Sequence, residues 1–245
     1  MHDLIARLVE LEAEIEYKNP PPPGQPDFIH IQGLIPVLIS APHGAAHTRN
    51  GRIKDEDEYT AGMARLVAER TGAHVLYAWR KSATDPNYAP GAPYKLALAK
   101  IVRGERIRFV LDLHGCSPRR PFGIALGSMR GQSCPAHFTV ILAALDGHGF
   151  SPAGSGLLRL DVDRTFPGGG GDHQETITRY CVHSLGVSAL QIELNALLRA
   201  PSRLPDRPVK TPFDEEQRLI LRTVAALESV VRAASLDGGG VSIRE

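Results

Sequence analysis

The sequence predicts an α/β fold, with a mixed, mostly parallel sheet flanked by helices on both faces. Three observations predict it. Short aliphatic and β-branched runs alternate with amphipathic segments along the chain, the pattern of successive strand–helix units. Two of those runs, Leu38-Ile39-Ser40-Ala41-Pro42-His43-Gly44 and Val110-Leu111-Asp112-Leu113-His114-Gly115, share one grammar: a hydrophobic strand that runs into His-Gly. Open α/β sheets place their chemistry where the chain turns out of a strand in this way. Finally, 245 residues suffice to bury one sizeable core, and no internal repeat divides the chain.

Taken in order, residues 3–18 place Leu4, Ile5, Leu8, Leu11 and Ile15 at helical spacing. The run Pro20–Pro23, with Gly24 and Pro26, stops that helix and forms a stiff connector. Residues 1–26 therefore read as an appended helix and connector that packs on the domain or on a second subunit, a route to a homo-oligomer. Residues 27–235 read as a single α/β domain, and 236–245 as a frayed, glycine-rich tail. Residues 28–41 are the first strand region, and 44–54 a polar loop. Residues 55–71 are expected to be a helix whose acidic first turn, Asp55-Glu56-Asp57-Glu58, suits the helix dipole. Tyr59, Met63, Leu66 and Val67 form its apolar stripe, and Gly72 ends it. A strand at 73–79, a loop at 82–94 and a short helix at 94–103 lead to the strand that carries His114. A strand at 124–126 and a helix at 135–145 follow. The glycine run Gly168–Gly171 is a loop before a helix ending near His183, and Val187–Leu194 is a strand. Thr211-Pro212-Phe213-Asp214 is a capping pattern that opens the last helix, which continues through Leu219, Ile220, Val224, Leu227 and Val231.

Composition excludes several functions. Lys and Arg number 28 against 27 Asp and Glu, so no basic excess exists to hold nucleic-acid phosphates or a membrane surface. Cys116, Cys134 and Cys181 make no CxxC pair, which argues against a disulfide framework or a cysteine zinc site and for a reducing cytoplasm. No signal-peptide core or membrane-length apolar run is present. Gly154-Ser155-Gly156 lacks the spacing of a nucleophile elbow, the Gly168 run lacks the lysine of a phosphate loop, and no HExxH or GxGxxG occurs.

A metal site remains. Hydrolytic zinc takes three protein ligands and leaves one position open, and two histidines with a carboxylate are a common set. His43 and His114 lie just past the ends of predicted strands, and if those strands are close in the sheet their imidazoles can converge. The acidic turn supplies the third ligand, with Glu58 the first choice and Asp57 the second, although dipole compensation explains any one of these acids as well. His47 is a rival ligand that reads better as loop surface. A hydrolytic site also needs a base, and Glu193 in Gln191-Ile192-Glu193-Leu194-Asn195 is a carboxylate inside an apolar strand, costly to bury without a partner or a task. A salt bridge to Arg199 is the plainer account of it.

These stretches resemble, in order from about 30 to 200, the N-formylglutamate amidohydrolase family, relatives of zinc carboxypeptidases and acyl-amino-acid deacylases. Pro42-His43-Gly44 resembles the family's PHxG. Asp57-Glu58-Tyr59 resembles its acid–aromatic helix start, and Asp85-Pro86-Asn87 its substrate-facing Asp-x-Asn-Arg. Asp112-Leu113-His114-Gly115 is similar to Asp-x-His-Ser, and Phe166-Pro167-Gly168-Gly169 with Ile177-Thr178 to a glycine loop carrying an insertion. The Gln191–Asn195 stretch is similar to Gln-x-Glu-x-Asn. The resemblance implies a zinc-carboxypeptidase-like fold and a zinc-dependent amidohydrolase acting on a small N-acyl amino acid. His43, Glu58 and His114 would hold Zn2+, and Glu193 would serve as general base. Asp112 and Asn195 would support the site from behind, Asp112 by holding a ligand imidazole or simply by capping the strand turn. Asn87 and one arginine would orient the substrate. The family's arginines fall on Tyr88 and Ala196, so Arg80, Arg164, Arg179 or Arg199 would have to replace them. A zinc peptidase or poly-γ-glutamate hydrolase of the same fold, and a non-catalytic metal-binding scaffold, are the alternative readings.

Overall fold

The computed structural model describes residues 2–171, 173–201 and 215–236. Thr211–Asp214 and the tail from Asp237 lie outside them. The molecule is built on a seven-stranded sheet in the order β1-β5-β2-β6-β9-β7-β8. The strands are β1 (Phe28–Ile31), β2 (Ile35–Ala41), β5 (Ala73–Ala78), β6 (Phe109–Cys116), β7 (Ile124–Gly127), β8 (Leu160–Val162) and β9 (Ser188–Asn195); β3 (His47–Arg49) and β4 (Arg52–Lys54) form a separate hairpin. The central pairs β5–β2, β2–β6 and β6–β9 are parallel, as is β7–β8, whereas β1–β5 and β9–β7 are antiparallel. The expected mixed, mostly parallel sheet is present.

Helices cover both faces because the central strands are apolar on both. Val37, Ile39, Leu111, Leu190 and Ile192 face one side, in the same core as α1 (His2–Ala13), α2 (Thr60–Thr71), α4 (Phe138–Asp146) and α6 (Glu215–Ser235). Leu38, Leu76, Val110 and Ala189 face the other, with α3 (Pro93–Gly104) and α5 (Ile177–Tyr180). The sides alternate residue by residue, as a period of two requires.

Four local readings need correction. The first strand region is two strands, because the chain at Gly33 passes so close to Ala73 that a Cβ there would sit 2.3 Å from its carbonyl carbon. The polar loop after Gly44 contains the β3–β4 hairpin, whose tip Asn50-Gly51 has positive φ at both residues, the geometry favoured for a two-residue turn. Strand β8 was not anticipated. Most consequentially, α2 begins at Thr60 and has no acid in its first turn. Tyr59 before it is left-handed (φ 63°), so the acidic run is loop, with Asp55 and Glu56 paired to Lys18.

The cap of α2 comes instead from α1. The buried Glu12 carboxylate accepts from the backbone N–H of Tyr59 (2.5 Å) and Gly62 (2.7 Å), and from the Tyr17 hydroxyl. Ile5, Leu8, Leu11 and Ile15 are buried in the same core, so the helix packs on the domain, one of the two placements expected of it. Glu12→Ala takes the acceptor from two backbone N–H groups and the Tyr17 hydroxyl and is expected to destabilise the fold by about 2–4 kcal/mol. A lower urea midpoint at unchanged slope is the readout, and an unchanged midpoint contradicts this role.

Candidate active site

The site forms at the C-terminal ends of β2, β6 and β9, from the last residues of those strands and from the loops beside them. Parallel pairing sets Ser40 beside Asp112 and His114 beside Glu193. His43 follows β2 by two residues, while His114 lies within β6 rather than past its end. Gly44 makes room for the His43 turn, since a Cβ there would lie 2.6 Å from Ala78 O and 2.7 Å from the Ala61 Cβ.

The two imidazoles converge through matching nitrogens, His43 Nδ1 and His114 Nδ1 being 3.2 Å apart. The carboxylate that meets them belongs to Asp57, whose Oδ2 is 3.5 Å from each. Glu58 is not in this group, which corrects the first choice drawn from the sequence. The reason is local. The Asp57 N–H donates to His43 O (2.8 Å), and its Oδ2 accepts from Gly115 N–H (3.0 Å), so the chain is tied to both histidine loops at 57, before the left-handed step at Tyr59.

Each imidazole is held from behind at its other nitrogen. His114 Nε2 lies 3.1 Å from Asp112 Oδ1, and the second Asp112 oxygen accepts from Thr178 Oγ1 at 3.3 Å. His43 Nε2 lies 2.9 Å from Asp85 Oδ1. A carboxylate on Nε2 fixes the proton there and turns the Nδ1 lone pair toward the shared position. Asp85 also takes the Arg49 Nε–H and the Asn87 N–H. His47 is buried rather than on the loop surface, stacked on His43 with ring centroids 4.0 Å apart.

Electrostatics follow from this packing. Burial would raise the Asp57 carboxyl, but hydrogen bonds from His114 and His43 hold it well below the usual carboxylate range. Burial would likewise discharge His114, but the carboxylates of Asp112, Asp57 and Glu193 together raise the imidazole well above its ordinary value. Glu193 behaves differently. Burial pushes it up to about 7, against the pull of His114. Its Oε1 accepts from Gln191 Nε2 at 2.9 Å, while Arg199 lies buried with its guanidinium against Gly115. That contact also explains why glycine stands at 115, since a Cβ would lie 2.4 Å from the guanidinium.

A cavity of about 590 Å³ opens over His43, Asp57, His114 and Glu193. Asn87 lines it, with its Oδ1 accepting from Ile177 N–H at 2.7 Å. Lys95, fully buried, donates to Ala89 O (3.1 Å) and to the Glu175 carboxylate (2.9 Å), stapling the Asn87 turn to the glycine-rich segment. Asn195 is not at the cavity; its Nδ2 donates to Arg120 O (3.3 Å) and Phe122 O (3.0 Å).

None of the four arginines singled out in the sequence lines this cavity. Arg80 stacks on Trp79 and pairs with Glu16. Arg164 lines a separate pocket with Asp161, Arg179 a neighbouring depression, and Arg199 is buried beneath Gly115. The cavity's guanidinium groups are Arg49 and Arg120, which sequence reasoning missed. Arg49 ends β3 and Arg120 sits on the loop after β6, and neither position carries a sequence signal.

No protein-family model matches the chain, and no curated protein matches it in sequence. Among solved structures, an N-formylglutamate amidohydrolase from Ralstonia eutropha JMP134 aligns with TM-score 0.53 at 16% identity, over 84% of this chain and 97% of that one. A bacteriophage poly-gamma-glutamate hydrolase aligns with TM-score 0.43 at 12% identity, over 84% and 87%. A metallo-carboxypeptidase from Burkholderia cenocepacia aligns with TM-score 0.42 at 15% identity, over 86% of this chain and 64% of that one. The resemblance read from the sequence recurs among the fold's neighbours, and at these identities the chain shares with the Ralstonia enzyme its α/β fold.

Proposed function

We infer that this chain is a metal-dependent hydrolase of amide bonds in small N-acyl amino acids, with His43, Asp57 and His114 holding zinc and Glu193 acting as general base. The observation that carries this is the spacing of the three donors. Ligands about 2.0–2.1 Å from a tetrahedral ion lie about 3.3 Å from one another, and the three separations are 3.2, 3.5 and 3.5 Å. The charge balance agrees. Asp57, Asp85, Asp112 and Glu193 crowd around His43 and His114, while Arg49 pairs with Asp85. A dication offsets that deficit.

A second group, His43, His47 and Asp85, fits a cation less well. The Asp85 oxygens already accept from Arg49 and Asn87, and a guanidinium on the carboxylate repels a metal ion. The His43 and His47 rings are moreover nearly parallel, at 8°, so they stack rather than converge.

When bound, zinc supplies Lewis-acid polarisation of a carbonyl and makes water a stronger acid. The remaining work falls to the chain. Glu193, poised near neutrality, takes a proton from the attacking water at its carboxylate and returns it to the leaving nitrogen. Gln191 holds one carboxylate oxygen and so fixes which edge of Glu193 faces the cavity. Asn87 lines the substrate side. A panel of N-acyl amino acids and short peptides, tested with zinc-loaded and chelated protein, decides the function. Hydrolysis of acyl amino acids that is lost on chelation and restored by zinc is expected; full turnover under chelation overturns the proposal. Peptide hydrolysis alone would favour a peptidase of the same fold.

A further inference from the structure

We propose that Glu12 of α1 is a positioning residue for the metal centre. It holds the left-handed turn at Tyr59 that presents Asp57 to the two imidazoles. This rests on the reading of Asp57 as a zinc ligand given above, and it identifies what keeps that ligand in place.

Helix α2 starts three residues after Asp57 and cannot cap itself. In a self-capped helix, a polar N-cap side chain accepts from the N–H three residues on, and an acid there reaches back to the N-cap N–H. Here the N-cap residue is Tyr59, which makes no side-chain cap, and three residues on stands Gly62, which has no side chain. Glu12 fills both roles from another helix. One carboxylate oxygen accepts from Tyr59 N–H (2.5 Å) and the other from Gly62 N–H (2.7 Å). The fit is close, since a Cβ at position 62 would lie 2.7 Å from that second oxygen.

The bonded turn is also strained. Tyr59 has φ 63°, a conformation in which an aromatic residue persists only when its surroundings enforce it. The turn is tied to Asp57, whose carbonyl oxygen accepts from Thr60 N–H (3.0 Å) and Thr60 Oγ1 (2.7 Å). A rotation at Tyr59 therefore moves the Asp57 carboxylate relative to His43 and His114. The same N-terminal segment braces the other ligand loop. Tyr17 donates its hydroxyl to Glu12, and its carbonyl oxygen accepts at 2.9 Å from Ala46 N–H, three residues after His43. His114 needs no such brace, because it lies within β6 at the centre of the sheet.

Zinc affinity, by competition with a chromogenic chelator, tests this together with amide exchange in the metal-free protein. Gly115 N–H donates to Asp57 Oδ2, so its protection reports the carboxylate's position without a metal. Glu12→Gln keeps the size of the side chain but replaces one accepting oxygen with a donor. It is expected to weaken zinc binding by about 10- to 100-fold, the range for groups that hold a ligand, and to speed Gly115 exchange relative to the other β6 amides. Glu12→Asp, which draws the carboxylate back by one methylene, should show both effects in milder form and serves if Glu12→Gln does not fold. Leu8→Ala, a cavity in the same helix, should lower the urea midpoint with neither change. Glycine adopts a left-handed turn without strain, so in a Tyr59→Gly background the Glu12→Gln loss should shrink to a few-fold. No zinc loss in Glu12→Gln, or an equal loss in Leu8→Ala, overturns the proposal, as does a Glu12→Gln loss undiminished by Tyr59→Gly. If the wild-type chain binds no zinc, the ligand reading falls and Gly115 exchange alone decides. Selective acceleration in Glu12→Gln then upholds the positioning role, and its absence refutes it.

Discussion

Asp57→Ala is expected to weaken zinc binding by more than about 100-fold, beyond the loss typical of outer-shell changes, and to abolish turnover, while Glu58→Ala leaves both close to wild type. The contrast follows from geometry. Asp57 Oδ2 lies 3.5 Å from both imidazole nitrogens and accepts from Gly115 N–H, whereas Glu58 is not in that group. Removing Asp57 leaves two imidazoles facing each other at 3.2 Å with no anion between the histidine loops. Competition with a chromogenic chelator measures the affinity. Equal losses in the two variants would mean that the acidic turn acts only through its overall charge, and would discard the specific ligand set.

Glu193→Gln is expected to lower kcat by about 100- to 10,000-fold, the range for loss of a positioned general base, with zinc still bound. The amide preserves shape and the hydrogen bond with Gln191 but cannot accept a proton. The wild-type pH profile should show the same group. Burial lifts the Glu193 carboxyl to about 7, and a nearby dication draws it back down. The base works only when ionised, so activity should be present above its pKa and fall as pH drops through a midpoint at or below about 7. Glu193→Gln should lose this acid limb. A variant that keeps the limb and most of the wild-type rate would assign the proton transfer to another group.

Much of this arrangement was legible in the sequence, and the gaps have physical causes. His43 and His114 stood out because two apolar runs each end in His-Gly, and parallel strands bring such ends side by side. Glu193 stood out because a carboxylate in the apolar strand Ala189–Leu194 is costly. Asp57 was displaced by one residue because helical phase was extended back through Tyr59, whose left-handed backbone breaks it. A non-glycine residue in that conformation has no sequence signature. The Asn50-Gly51 hairpin, by contrast, carried a readable signal. Asp85 was recognised in its motif, yet its bond to His43 spans 42 positions and arises only when the 82–94 loop folds over β2. The arginines were least legible. A long cationic side chain reaches whichever wall its loop faces, and the backbone at Arg120 is held by Asn195, 75 positions away.

The most direct test of the account is anomalous diffraction at the zinc edge from crystals of the zinc-loaded chain. The account predicts one peak per chain, bounded by His43 Nδ1, His114 Nδ1 and an Asp57 oxygen, with Glu193 facing it across the cavity. A peak between His43, His47 and Asp85 instead, or no bound metal in a chain that still hydrolyses amides, would contradict it.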